Sequence, residues 1–246
     1  MEWFKKGLPL ELFQEATDVH SHLLPSVDDG FKTREESLTA MKYLEELGFR
    51  QIIFTPHVMQ EYESNKRDYL TFQFEEFCKI AQEQTGIKLF LAAEYMLDAK
   101  FATHRNEGWL TLGDAKPYIL VETSYMYKEA DMDQNLYELM LEGYTPVIAH
   151  PERYQYATKE TYEQWTDSNY RLQLNLLSLA DGYGRPSMEK ALYLLDKDMY
   201  YYVGTDLHQL EKFIRLFSHI KLKTTQIDKL FKLYEHNREL LRVSNK

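Results

Sequence analysis

The chain has 246 residues, 44% of them hydrophobic and 28% charged, with 39 acidic against 29 basic side chains and a net charge of −10. These proportions are those of a globular protein and exclude collagen, coiled coil and wholesale disorder. No stretch approaches 18 consecutive apolar residues, so no membrane insertion is expected. The opening MEWFKKGLPLELFQEA lacks the apolar run of a secretory signal. The single cysteine, Cys78, cannot form an intramolecular disulfide, which fits a reducing, cytoplasmic setting. An acidic chain without a Lys/Arg run is not expected to bind nucleic acid. The length suits one domain spanning residues 1–246.

In chain order, short apolar or β-branched runs alternate with longer amphipathic ones. The first strand is expected near 17–21. The following helix opens at a capping box, Thr33-Arg34-Glu35-Glu36, carries Leu38, Met41, Leu44 and Leu47 at helical spacing, and stops at Gly48. A second strand is expected at 51–54, with a helix over about 67–84 behind it. The third and fourth strands are expected at 88–93 and 118–121, the fourth followed by a helix near 133–142 that Gly143 closes. A fifth strand at 145–149 precedes a helix near 159–167, and the sixth and seventh strands fall at 171–174 and 200–203. A final amphipathic helix is expected over about 225–242. Strands alternating with helices imply a parallel sheet with right-handed crossovers. Seven units suggest a barrel, with a doubly wound open sheet as the alternative.

The strand ends carry the chemistry. Asp18-Val19-His20-Ser21-His22 ends the first strand, and residues i and i+2 on a strand project to the same side, so His20 and His22 can share one metal ion. His-x-His alone is also compatible with two ordinary polar histidines. The other ends add His57 in Thr55-Pro56-His57, Glu94, Glu122, His150, and Asp206 with His208; Asp29 lies in the loop after the first strand. Six of the seven strand ends thus carry a ligand-type residue. Clustered carboxylates resist ionisation unless cations lie between them. Five imidazoles and four carboxylates exceed the needs of one or two ions with open positions, and about three divalent ions fit. Such ions would also explain how an acidic protein attracts an anionic substrate.

These residues carry a family resemblance. The segments DVHSHLLPSVDDG (18–30), TPH (55–57), AAEY (92–95), VETS (121–124), IAHPERY (148–154), LQLNLLSL (172–179) and GTDLH (204–208) resemble the PHP superfamily. More narrowly, the chain is similar to bacterial manganese-dependent tyrosine-protein phosphatases of capsule and exopolysaccharide loci. The resemblance implies an α/β fold, a distorted (β/α)7 barrel of PHP type with three metals. It implies that His20, His22, Glu94 and Asp206 hold one metal. Glu94 as a bridge, Glu122 and His150 hold a second, and Asp29, His57 and His208 hold a third. Asp29 and Glu122 stand where other PHP phosphatases use histidines, which favours the tyrosine phosphatases over histidinol phosphatase, the alternative reading. The family's substrate arginine soon after the last Asp-x-His is missing. The stretch reads Gln209-Leu-Glu-Lys-Phe-Ile-Arg215, which leaves Lys212 or Arg215 as candidates.

The expected reaction is hydrolysis of a phosphotyrosine ester by a metal-bridging hydroxide. The partner it implies is the tyrosine-rich tail of a bacterial tyrosine kinase. Mn²⁺ is favoured by the resemblance, while Fe, Zn or Mg also suit such ligands. Arg153, Asp206 and His208 are the candidate catalytic residues, with Asp206 or a bound water as proton donor. Arg153, Asn175, Lys212 and Arg215 are the candidate substrate contacts. Arg153 has a planar fork suited to phosphate, against a surface pair with Glu152 as the plain reading. Asn175 serves equally as a structural residue. Tyr125 and Tyr127 are candidates to flank a phenyl ring. Cys78 reads as inert packing, Gly182-Tyr-Gly-Arg-Pro-Ser187 as a turn, and His104, His219 and His236 as solvated.

Overall fold

The computed structural model describes residues 7–113 and 117–241. Its sheets are wholly parallel in two groups. A three-stranded sheet runs in the order β1 (Ala16–Asp18), β2 (Phe49–Phe54), β4 (Lys88–Leu91). A six-stranded sheet orders β3 (His57–Val58), β5 (Glu94–Met96), β6 (Tyr118–Glu122), β7 (Thr145–Ala149), β8 (Arg171–Asn175) and β9 (Tyr202–Gly204). The expected second strand (51–54) lies within β2, and a further short strand, β3, follows it past Pro56, which lacks an N–H; the expected third strand (88–93) stops at Leu91, and the chain resumes as β5 after Ala92-Ala93. Hydrogen bonds from Ala92 N to Phe54 O (2.8 Å) and Glu94 N to Pro56 O (3.1 Å) carry the pairing across both breaks. The result is a curled parallel sheet rather than seven intact strands.

The helices follow the sequence signals closely where caps exist. Helix α1 (Arg34–Leu47) starts at the Thr33–Glu36 capping box and ends at Gly48 with φ 117°. Helices α2 (Arg67–Ala81), α3 (Met132–Leu141) and α4 (Lys159–Asp167) fall where expected. Two helices carried no readable signal. α5 (Arg185–Asp196) begins inside the segment read as a turn, with Pro186 in its first turn, and α6 (Leu210–Phe217) is only 8 residues long. α7 (Thr224–Leu240) packs on β9 and β1; Arg242, the expected end of that helix, lies outside the described residues.

The edges β1 and β9 meet at a seam. Beyond the strands proper, His22 N donates to Leu207 O (3.1 Å) and Asp206 N to His20 O (2.8 Å), so the two chains pair just where they carry their imidazoles and acid. Below that level Asp18 takes over: its Oδ1 accepts from Thr205 N at 2.9 Å and its Oδ2 from the Thr205 hydroxyl. Burial pushes the Asp18 carboxyl up to about 6. Lower still, the buried amide of Asn237, from α7, fills the gap. Its Nδ2 donates to Thr17 O (2.8 Å) and Val203 O (2.6 Å), and its Oδ1 accepts from Val203 N (3.2 Å). Asn237 thus substitutes for strand pairing that the sheet lacks there. Replacing it by alanine strands three buried backbone groups, each costing about 1–3 kcal/mol. Asn237→Ala is expected to lower stability by about 2–4 kcal/mol in urea unfolding; a loss below 0.5 kcal/mol would show that the seam does not need this amide.

Candidate metal centre

The curl brings the C-terminal strand ends to one face, and the ligand-type residues meet there. β3 pairs with β5 in a register that sets His57 beside Glu94. His20 and His22 lie past the end of β1, Glu122 ends β6, His150 follows β7, and Asp206 and His208 follow β9. Of these, His20, His22, His57, Glu94, Glu122, His150 and Asp206 are buried. Two carry left-handed backbone, His150 at φ 32° and Asp206 at φ 50°. Such residues cost about 1–3 kcal/mol and persist where the surroundings hold them.

Three groups of side chains offer ligand atoms within 4.8 Å of one another: His20, His22, Glu94 and Asp206; His57, Glu94 and Glu122; and His22, Asp29, His57 and His208. In the first group, His20 Nε2 lies 3.2 Å from Glu94 Oε2 and 3.4 Å from Asp206 Oδ1, and His22 Nε2 lies 3.3 and 3.4 Å from the same two oxygens. In the second, His57 Nδ1 is 3.1 Å from Glu94 Oε2 and 2.9 Å from Glu122 Oε1. In the third, Asp29 Oδ1 is 3.3 Å from His57 Nε2 and 3.4 Å from His208 Nε2. His150 reaches Glu94 Oε1 at 3.0 Å and Glu122 Oε2 at 3.8 Å. The grouping differs from the one expected in three residues: His57 reaches the second group as well as the third, His22 joins the third, and His150 falls outside the second group although it approaches both of its carboxylates.

Neighbours direct the rings. Gln173 Oε1 sits 2.9 Å from His20 Nδ1, and Gln173 Nε2 is spent on Leu174 O, so the amide oxygen accepts and His20 turns Nε2 inward. Asp28 Oδ2 does the same for His22 Nδ1 at 2.8 Å, while also accepting from His57 N at 3.0 Å. The carbonyl of Asp206 holds His208 Nδ1 at 2.9 Å. Partners of this kind orient a ligating imidazole and raise its basicity. Asp28 and Gln173 were not among the expected site residues. Both lie in segments that carry the family resemblance, but only the fold sets them behind the rings. Two glycines permit the approach. A Cβ on Gly30 would lie 2.2 Å from His22 O, and one on Gly204 would lie 2.5 Å from His20 Cβ.

The donor set fits divalent cations. His57 Nδ1, Glu94 Oε2, Glu122 Oε1 and His150 Nδ1 are buried polar atoms without a hydrogen-bond partner among the described residues, although the first three converge. Native interiors rarely leave such atoms unpaired, and an ion would account for the three that converge; His150 faces the carboxylates with its other nitrogen, Nε2. Burial opposes a charged His20, yet Glu94 and Asp206 carry its pKa upward. Burial and His57 oppose a charged His22, and Asp28 and Asp206 outweigh them, holding it well above its ordinary value. His57 is raised likewise, against its burial, by Glu122, Asp29 and Glu94. Conversely, the imidazoles pull Glu94 and Asp206 well below the usual carboxylate range despite burial.

The substrate-side residues flank this cluster. Beside it lies a cavity of about 290 Å³ that reaches His57, His150, Arg153, Tyr183, Asp206 and Lys212. Arg153 does not pair with Glu152. Its Nη1 donates to Asp206 Oδ2 at 2.9 Å, and Asn175 Nδ2 donates to the same oxygen at 2.6 Å. Glu152 is buried instead, accepting from Asn175 N (3.0 Å) and Tyr200 Oη (2.8 Å), and burial lifts its pKa. Lys212 lines the cavity; Arg215, exposed one turn on along α6, does not. Tyr125 lines it too, whereas Tyr127 is 60% exposed outside it. Cys78 is half-buried on α2, its thiol pushed up to about 11 by burial and Glu75. His236 is not simply solvated, for it stacks on Tyr201 at 4.3 Å and its Nδ1 donates to Tyr201 O at 3.0 Å. His104 is likewise partly buried against Tyr95 and Glu107.

A family model described as "Capsular polysaccharide synthesis, CpsB/CapC" matches residues 16–228. The chain belongs to the CpsB/CapC family. Within it, the chain is 30% identical over 204 residues to the tyrosine-protein phosphatase CpsB of Streptococcus pneumoniae, covering 79% of this chain and 83% of that one. It is 26% identical over 198 residues to the tyrosine-protein phosphatase YwqE of Bacillus subtilis (strain 168), covering 79% and 78%. The fold matches a chain from the crystal structures of YwqE and CpsB, described as unique metal-dependent tyrosine phosphatases. The TM-score is 0.78 at 23% identity, covering 92% of this chain and 94% of that one. A more distant fold match is a phosphotriesterase homology protein from Escherichia coli, with a TM-score of 0.59 at 13% identity, covering 93% and 99%. No helix of the described residues is long and apolar enough to cross a membrane.

The raised imidazoles set a pH dependence for cation binding. A cation takes the ring nitrogen that the proton occupies, so affinity falls as pH drops below the raised pKa values of His20, His22 and His57 and grows as pH rises through them. Mn²⁺ titrated into the protein near pH 7 is expected to release protons. Calorimetry in two buffers of different ionisation enthalpy reads this directly, and identical heats in both would contradict it.

Proposed function

We propose that this chain is a metal-dependent phosphomonoesterase that removes phosphate from protein phosphotyrosine, with the tail of a bacterial tyrosine kinase of capsule or exopolysaccharide synthesis as its substrate. The observation that carries the reading is a juxtaposition: a buried nest of imidazoles and carboxylates shares a wall with a cavity bearing Arg153 and Lys212. Membership of a family whose relatives are named tyrosine-protein phosphatases supports the substrate class. The setting is cytoplasmic, where a kinase tail would be found. The curled sheet is read as a distorted (β/α)7 barrel of PHP type, its broken strands counted as single units.

About three divalent ions, Mn²⁺ by preference, are assigned to the three side-chain groups, with Glu94 shared between two of them and His150 completing the second. When bound, such ions neutralise phosphoryl oxygens and lower the pKa of water. The chain's own residues do the rest. Arg153 presents its planar fork to the phosphate while Asp206 Oδ2 fixes one nitrogen. Lys212 adds a second positive charge from the cavity wall, in place of the arginine that the family sets after the Asp-x-His motif. Asn175 reaches the same carboxylate and aligns it. Asp206, drawn well below the usual carboxylate range by His20, His208 and Arg153 despite its burial, accepts from Arg153 and Asn175, which supports an anchoring role over that of proton donor. His208, partly exposed at the cavity, is assigned to the group around Asp29, with its Nδ1 on the Asp206 carbonyl, so the proton for the departing phenolate is assigned to water. A phenol of pKa about 10 needs only modest help to leave.

Chelation is expected to abolish turnover of p-nitrophenyl phosphate and of a phosphotyrosyl peptide, with Mn²⁺ restoring both. Activity that survives exhaustive chelation would end the metal-dependent reading. His150→Ala should lose at least about 100-fold in kcat while its near-UV circular dichroism stays native. Turnover close to wild type would remove His150 from the centre. Iodoacetamide at pH 8 should leave the activity intact, because the Cys78 thiol stays protonated below about 11. Inactivation tracking alkylation of Cys78 would point to a thiol enzyme.

A further inference from the structure

Tyr183 lies in the segment that reads as a plain turn, between Asp181 (φ 60°) and Gly184 (φ 88°). These two left-handed residues fold the turn so that the ring enters the cavity wall. There it meets both cations of the cavity. The Arg153 guanidinium carbon lies 4.0 Å from the ring centroid and Lys212 Nζ lies 4.9 Å from it. Arg153 is covered on a second side by Tyr125, at 4.3 Å. The Tyr183 hydroxyl accepts from Asn175 Nδ2 at 3.1 Å and donates toward Asp206 Oδ2 at 3.5 Å. One side chain therefore touches every residue assigned above to hold the phosphate.

We propose that Tyr183 is the positioning residue of the phosphate subsite, its ring serving as the shared platform that holds Arg153 and Lys212 at the spacing a phosphoryl group requires. The inference rests on the phosphatase reading and adds to it the device that keeps two long, flexible cations in place. Without a platform, each would lose rotamer freedom only on binding phosphate, at a cost to affinity. Lys212 needs this most. It comes from α6, a helix of 8 residues, and among the described residues it forms no ion pair. The ring quadrupole attracts an ammonium at this distance and leaves its N–H groups free for an anion. Among the described residues Arg153 likewise makes one side-chain hydrogen bond, to Asp206, so most of its donors are available.

Tyr183→Leu removes the ring, and Tyr183→Phe keeps the ring while losing the hydroxyl. On the Mn²⁺-loaded protein, Tyr183→Leu is expected to raise KM for a phosphotyrosyl peptide and weaken calorimetric binding of inorganic phosphate by about tenfold, with a smaller change in kcat. Tyr183→Phe should stay within about twofold of wild type in both. Metal content and melting temperature should be unchanged in both variants. The proposal fails if Tyr183→Leu keeps wild-type KM and phosphate affinity, if Tyr183→Phe loses as much as Tyr183→Leu, or if the loss comes with reduced metal content or melting temperature. A wild-type protein that hydrolyses no phosphotyrosyl peptide would defeat the phosphatase reading instead, and the phosphate titration would still decide the role of Tyr183.

Discussion

Charge compensation inside a buried cluster governs this molecule. Four imidazoles and three carboxylates are buried where the curled sheet leaves little water, with Asp29 and His208 at the more open edge. An unpaired buried charge costs several kcal/mol, so this arrangement is stable only if every acid finds a cation. Protons on the imidazoles can supply part of that charge, as the raised pKa values of His20, His22 and His57 show. They leave Glu94 Oε2 and Glu122 Oε1 without a hydrogen bond, however. Divalent ions would satisfy those lone pairs as well, and would let an acidic protein hold an anion.

The same constraint explains where the fold spends its polar groups. The β1–β9 seam carries Asp18, Thr205 and Asn237 in succession, all buried. A seam of apolar residues would fill the gap equally well but would not fix one strand against the other along its length. Here each hydrogen bond sets the register between the strand bearing His20 and His22 and the strand bearing Asp206 and His208. A shift of one residue would turn the imidazoles to the wrong face. The seam is thus the alignment device of the centre, and Asn237 links it to the last helix.

Much of the centre was legible because its chemistry is written in residue types at strand ends. His20, His22, His57, Glu94, Glu122, His150, Asp206 and His208 could be marked from their places after apolar runs, and α1 from its capping box. What stayed hidden depends on the third dimension. His57 was visible after Thr55-Pro56, but the passage of the chain from β2 and β4 into β3 and β5 of a second sheet depends on the curl of the whole sheet. α5 began within a glycine-rich turn and α6 was too short for periodicity to register. Asp28 and Gln173 act from behind the rings, and Glu152 looked like a surface partner for Arg153 until the chain turned it inward. The grouping of ligands was also beyond the sequence, since His57 faces carboxylates from both of its ring nitrogens.

On the proposed function, a departure from the family's pattern need not weaken phosphate recognition. An arginine brings a rigid, bidentate fork, whereas a lysine brings a mobile point charge. Exchanging one for the other loses geometry unless something else supplies it. In this chain the aromatic wall does so: Tyr125 and Tyr183 enclose Arg153, and the Tyr183 ring also lies under Lys212. Rigidity has moved from the cation to its support. The acid that anchors the arrangement, Asp206, faces the imidazoles of the candidate metal centre with Oδ1 and Arg153 with Oδ2. It therefore couples the two halves of the site, because displacement of its carboxylate toward either side loosens its hold on the other.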